Sequence, residues 1–288
     1  MRLGKYETSN IQVRSGGRRG MPGGRGGGIG CGAIIIAAIA YFVFGADPLQ
    51  TIGMIEGAQQ QGPLQQQQAS MSEEQVCESG PYSREACNAL NSLNNTWRPE
   101  FQRAGIAFKD PVLTLYSGAV STEGCGSASS AAGPFYCPAD MGIYIDTSFY
   151  DEMARRMGAG GDFARYYVIA HEYGHHIQNL TGLASQVRSL QARNPSQANQ
   201  LQVRMELQAD CYAGVWAGKN RNLVEPGDMQ EGLTAASAIG DDTLMRNAGQ
   251  RINPENFTHG TSRQRMEALR LGLENADDSV CDRFFDFR

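Results

Sequence analysis

The sequence predicts an α+β domain, a small sheet followed by a mainly helical part, with one transmembrane helix ahead of both. Three observations carry that reading. The two β-prone stretches, 111–118 and 142–146, come early; from residue 162 onward the apolar residues recur at helical spacing; and residues 29–46 form an uncharged apolar run.

Residues 16–30 hold nine glycines and three arginines, too little apolar surface to offset chain entropy, so residues 1–28 read as a mobile basic tail. The 18 residues from Ile29 to Ala46 carry no charge. As a helix they would span about 27 Å, close to a bilayer core of about 30 Å. A cleaved signal peptide is the alternative, but Phe44 sits where a cleavage site needs a small side chain. Six basic side chains against one acid in residues 1–28 place that tail in the cytoplasm and the body outside, an extracytoplasmic, periplasmic location behind a single-pass anchor in the cell membrane.

Residues 47–74 read as a tether, because seven of the ten residues from Gln59 to Gln68 are glutamine. The body then runs from residue 75 to 288 as one domain. Cys31 falls in the apolar run, which leaves six cysteines in a compartment that tolerates disulfides. The locally plausible pairs are Cys77 with Cys87 and Cys125 with Cys137, leaving Cys211 for Cys281; free buried thiols are the other possibility.

Within the body, Ala86, Leu90, Leu93 and Trp97 predict a helix over 83–101. Strands follow at 111–118 and 142–146, with a Gly/Ser-rich loop between them. A long helix is expected from Asp162 to Leu180, ended by Thr181-Gly182, and further helices over 184–193, 197–219, 227–239 and 262–273. The chain is net −5 although its first 28 residues are basic, so the body is more acidic still. Such a surface is a poor partner for nucleic acid, whose binding needs Lys and Arg on phosphates, and no nucleic-acid role is expected.

The informative string is Ala170-His171-Glu172-Tyr173-Gly174-His175-His176. Four residues apart on a helix, His171 and His175 project from one face and can share one zinc ion, with Glu172 beside them to take a proton from water. His176 lies about 140° around the helix from His171 and cannot converge with it. A third histidine of the metzincin kind is missing, because Thr181 stands in its place and Gln178 where that pattern has glycine. On the next predicted helix Glu206 can complete a His₂Glu set, and Asp210, one turn on, can accept the second ring N–H of a ligand histidine. His259 precedes a helix start at Thr261-Ser262; it either donates to a developing oxyanion or satisfies buried carbonyls. Asp241-Asp242 reads as a helix end or turn before it reads as a second metal site.

The strings GPFYCPADMGIYIDTSFYDEM (133–153), AHEYGHHIQNLTG (170–182), ELQADCYAGVWAG (206–218), AIGDD (238–242) and FTHGTSRQR (257–265) resemble the bacterial neutral zinc metallopeptidases, single-pass membrane proteins with a zincin-like domain. The resemblance implies a zinc-dependent peptidase acting on peptides or proteins, with His171, His175 and Glu206 as gluzincin-type ligands and Glu172 as the catalytic carboxylate. It also implies that the strand at 142–146 borders the cleft and accepts an extended peptide as another strand. A non-catalytic zinc module that binds envelope partners is the alternative. Glu172 separates the two readings, because a purely structural site does not need that carboxylate and closes its fourth position with Cys or His.

Overall fold

A computed structural model describes residues 1–16 and 71–285. Its main sheet has four strands in the order β1 (Gln12–Ser15), β2 (Val112–Tyr116), β6 (Gly142–Asp146), β5 (Phe135–Cys137). The first three run parallel, Gln12 beside Val112 and Val112 beside Gly142, and β5 closes one side antiparallel to β6. β6 has partners on both sides and is buried along its whole length. A hairpin of β3 (Ala119–Ser121) and β4 (Ser127–Ser129) lies beside the sheet, tied to β5 by the Cys125–Cys137 disulfide.

Nine helices follow the strands or interrupt them among the described residues: α1 (Glu73–Cys77), α2 (Pro81–Ala104), α3 (Ser148–Met157), α4 (Asp162–Leu180), α5 (Leu183–Arg193), α6 (Ala198–Lys219), α7 (Asp228–Ala238), α8 (Asp241–Asn247) and α9 (Ser262–Asn275). A terminal 3₁₀ helix covers Asp278–Phe285. α4 is the central element, packed on α2, α6 and α7 and buried nearly all round, as expected of a helix with little charge on any face. Gly182, in the left-handed conformation at φ +79°, separates it from α5.

Two close helix crossings set the geometry. At Gly174 a Cβ would stand 2.8 Å from the Ala209 Cα, so α4 and α6 approach to backbone contact there. At Gly272 a Cβ would stand 2.0 Å from the Cys211 carbonyl oxygen, which seats α9 equally close on α6. Any larger side chain at either glycine would force the helices apart. The pairs Cys77–Cys87 and Cys211–Cys281 are also disulfide-bonded, as their positions in the sequence suggest.

Residues 1–16 are part of this fold. Ile11 and Val13 are buried while Gln12 faces solvent, and the Met1 ammonium donates to Asp162 at 3.0 Å and Asp228 at 2.8 Å. Burial opposes that charge, but the two carboxylates still raise its pKa. The predicted anchor at 29–46 and most of the predicted tether lie outside the described residues, and among the described residues no helix is long and apolar enough to cross a membrane.

Two expectations are thereby corrected. A single crossing between a cytoplasmic tail and an extracytoplasmic body would put residues 1–16 and 71–285 on opposite faces of a bilayer, where β1 could not share a sheet with β2. The predicted class, α+β with a transmembrane helix and strands ahead of helices, gives way to a mixed α/β, mostly helical fold. Its sheet takes its first strand from residue 12 and has α1 and α2 between β1 and β2.

Candidate metal centre

The crossing at Gly174 and Ala209 brings two predicted sets of side chains together. His171 Nε2 lies 3.1 Å from Glu206 Oε2, and His175 Nε2 lies 3.6 Å from the same oxygen. One ligand atom from each of the three residues falls within 4.8 Å of the others. His171 and Glu206 are buried and His175 is partly exposed.

The outer nitrogens of both rings are occupied. His171 Nδ1 faces Asp210 Oδ1 at 2.8 Å, and His175 Nδ1 faces Gln178 Oε1 at 2.9 Å. Both acceptors are oxygens, so each ring carries its proton on Nδ1 and turns the Nε2 lone pair to the centre. Glu206 is held from behind as well, its Oε1 accepting from Gln202 Nε2 at 2.9 Å. Two lone pairs and a carboxylate oxygen at these distances repel one another unless a proton or a metal cation lies among them. Borderline-soft imidazole with carboxylate is a donor set that suits zinc.

The ionisation directions follow from this crowding. Burial disfavours charge on His171, yet Asp210 and Glu206 hold its pKa up at about 9. His175 is raised by Glu206 against the same burial penalty. Burial likewise opposes the charge on Glu206, but the two histidines keep it well below the carboxylate range. Glu172, buried and within electrostatic reach of all three, is pushed upward chiefly by burial.

Asp210 is the hub of a wholly buried network. Its Oδ1 accepts from Tyr167 at 2.5 Å and from Arg265 Nη2 at 2.9 Å, and its Oδ2 accepts from Arg265 Nε at 2.8 Å. Arg265 is only 1% exposed. Burial penalises the Asp210 carboxylate, and Arg265 and His171 keep its pKa low nonetheless. The sequence gives little warning of Arg265, which lies 55 residues from its partner. Gln178 and Gln202 could have been found, since each sits within one turn of a candidate ligand on the same helix.

His259 is buried on the loop before α9. Its Nδ1 lies 3.1 Å from Asp241 Oδ1, and Asp241 Oδ2 accepts from the backbone N–H groups of Thr258, His259 and Gly260 at 2.7–2.9 Å. Asp242 accepts from the backbone and hydroxyl of Ser262. These two acids therefore shape the His259 loop and the start of α9. His259 stands near enough to Glu206 to help stabilise its charge. A second acidic group, Asp162, Asp228 and Glu231, is separate from the histidines and has the Met1 ammonium against it.

His176 faces the sheet. Its Nε2 donates to the Lys109 carbonyl at 2.7 Å and its Nδ1 accepts from the Tyr136 hydroxyl at 3.0 Å. Burial drives its pKa down to about 4. An unfolded histidine protonates near 6.5, so the stability this ring contributes is complete above about 6.5 and is lost as pH falls to about 4, a swing of about 3 kcal/mol. Urea unfolding at pH values across that window should show the loss, and His176→Asn should flatten it. Identical pH slopes for the two proteins would contradict this assignment.

β6, expected to border the cleft and take up a peptide, is interior to the sheet and has no free edge. The strand at the end of the sheet on that side is β5, which packs against α4.

The chain matches, over residues 2–284, the family described as "Putative neutral zinc metallopeptidase". Among similar proteins, Uncharacterized protein YpfJ of Escherichia coli K12 is 40% identical over 298 aligned positions, covering 98% of this chain and 97% of the relative. Uncharacterized protein Rv2575 of Mycobacterium tuberculosis H37Rv is 41% identical over 207 positions, 67% of this chain and 68% of the relative. No solved structure matches.

Proposed function

Because the chain belongs to the neutral zinc metallopeptidase family, we propose that it is a zinc-dependent peptidase whose metal ligands are His171, His175 and Glu206. The observation that carries this is the convergence of two Nε2 atoms on one carboxylate oxygen, with both Nδ1 atoms already committed to acceptors. When bound there, zinc supplies Lewis-acid polarisation of a peptide carbonyl and acidification of water.

The remaining chemistry belongs to the chain. Glu172 takes a proton from water on its carboxylate and passes it to the leaving amine nitrogen. Its burial favours that role, because a carboxylate with a raised pKa is the stronger base. Asp210 and Gln178 hold the two rings so that Nε2 stays turned inward. In its protonated form His259, held through Nδ1 by Asp241, offers the Nε2–H to charge developing on the substrate oxygen. The outer edge of β5 is where an extended peptide or protein segment adds to the sheet, beside the helix that bears the histidines.

Catalysis is favoured over a structural zinc module by the state of Cys211. It is the nearest cysteine in sequence to Glu206, and it is bonded to Cys281, so it has no thiolate with which to close a fourth position.

Metal analysis of the purified full chain is expected to give one zinc per molecule. Cleavage of an unfolded protein such as reduced casein should stop with chelator and return when zinc is added back. A chain that binds no zinc, or that cleaves equally well in excess chelator, would sink the proposal.

A further inference from the structure

The glutamine behind His175 is the last link of a hydrogen-bond chain with only one possible polarity. Gln178 is wholly buried, and its Nε2 donates to the Met205 carbonyl at 2.8 Å and to Gln208 Oε1 at 3.0 Å. Gln208 in turn donates from Nε2 to the Cys281 carbonyl at 3.3 Å. Met205 lies on α6, and Cys281 is pinned to that same helix through its bond to Cys211.

Both far ends are backbone carbonyls, which can only accept. Gln208 must therefore present its amide nitrogen to Cys281 and its oxygen to Gln178. Gln178 must then spend both N–H groups on Met205 and Gln208, and its oxygen is left facing His175 Nδ1 at 2.9 Å. An amide flip at Gln178 would set its oxygen against both the Met205 carbonyl and Gln208 Oε1 and leave the buried Gln208 oxygen without its donor, at about 1–3 kcal/mol.

We propose that Gln178 is a positioning residue that fixes the ring tautomer of His175, and that Gln208 and the disulfide-held Cys281 carbonyl fix Gln178 in turn. This rests on His175 being a zinc ligand. Through the relay the C-terminal 3₁₀ helix, which carries none of the proposed ligands, sets which nitrogen of His175 faces the ion. Asp210 does the same for His171 by charge, whereas Gln178 does it with a neutral oxygen. The two rings are thereby held by groups of different basicity, and the His175 side adds no further negative charge to a site that already contains Glu206 and Asp210.

The test is zinc affinity by chelator competition on the full chain, comparing the unaltered protein with Gln178→Met, Gln178→Glu and Gln208→Met. Gln178→Met keeps the volume and removes the acceptor, and should weaken zinc about 10- to 100-fold, with a changed visible spectrum for the cobalt-substituted protein. Gln178→Glu keeps an oxygen on Nδ1 and should recover most of that loss. Gln208→Met should weaken zinc only a few-fold, because the Met205 carbonyl still orients Gln178. Gln178→Ala replaces the methionine variant if the latter does not fold.

Equal losses in Gln178→Met and Gln178→Glu would mean that packing and not the acceptor matters, and would overturn the relay. So would an unchanged affinity in Gln178→Met. An unaltered chain that binds no zinc would overturn the metal reading itself and this inference with it.

Discussion

Replacing Glu172 by Gln is expected to lower peptide hydrolysis by about 10²- to 10⁴-fold while one zinc per chain is retained. The two side chains have nearly the same shape, so the packing around position 172 on α4 survives. The amide cannot accept a proton from water at neutral pH, and the proton transfer to the leaving nitrogen disappears with it. The three proposed ligands are untouched, and their outer hydrogen bonds run to Asp210, Gln178 and Gln202 without involving residue 172. The loss should therefore fall on kcat, with metal content unchanged. Measuring kcat/KM beside zinc stoichiometry checks both halves. A variant that cleaves at the original rate removes Glu172 from the mechanism, and one that loses its zinc makes it a structural residue.

Asp210→Ala should be the most destabilising single change in the site, by about 3–5 kcal/mol. Arg265 is 1% exposed and its Nε and Nη2 both donate to Asp210. A guanidinium cannot shed its charge, so the variant leaves a buried cation without its ion-pair partner. The Tyr167 hydroxyl loses its acceptor at the same time. Denaturant unfolding of the single variant and of Asp210→Ala with Arg265→Met separates the causes. The double variant should regain much of the loss, since an apolar replacement of a buried pair is often near neutral. Zinc affinity should stay weakened about 10- to 100-fold in both variants, because His171 Nδ1 lacks its acceptor in each. A single variant within about 1 kcal/mol of the original would contradict the assigned role of the pair.

What could be read before any coordinates was whatever a single helix fixes by its own geometry. The four-residue steps from His171 to His175 and from Glu206 to Asp210 fix which side chains share a face, wherever the helices go. That α4 and α6 meet at Gly174 and Ala209 is a packing fact, and a glycine between two histidines does not announce it. Arg265 reaches the same region from far along the chain and no local pattern signals it, whereas Cys281 is expected there as the remaining partner of Cys211. The first sixteen residues misled because composition outweighed pattern: Gly and Arg dominate the adjoining stretch 16–30, while the alternation of Ile11 and Val13 with Gln12 is too short to stand out. An apolar run at 29–46 gives its length but not the whereabouts of its two flanks, and β1 beside β2 is what decides against a single crossing.

The parallel pairing of Gln12 with Val112 has a kinetic side. Strands a hundred positions apart must find each other before that ladder yields any energy, so the edge of the sheet should be assembled late and slowly during renaturation. The thermodynamic penalty of so long an excursion is mild by comparison, because closure entropy grows only with the logarithm of length and doubling the intervening stretch adds about 0.6 kcal/mol. Insertions or deletions between β1 and α1 should thus alter how fast the molecule matures far more than how firmly it holds together.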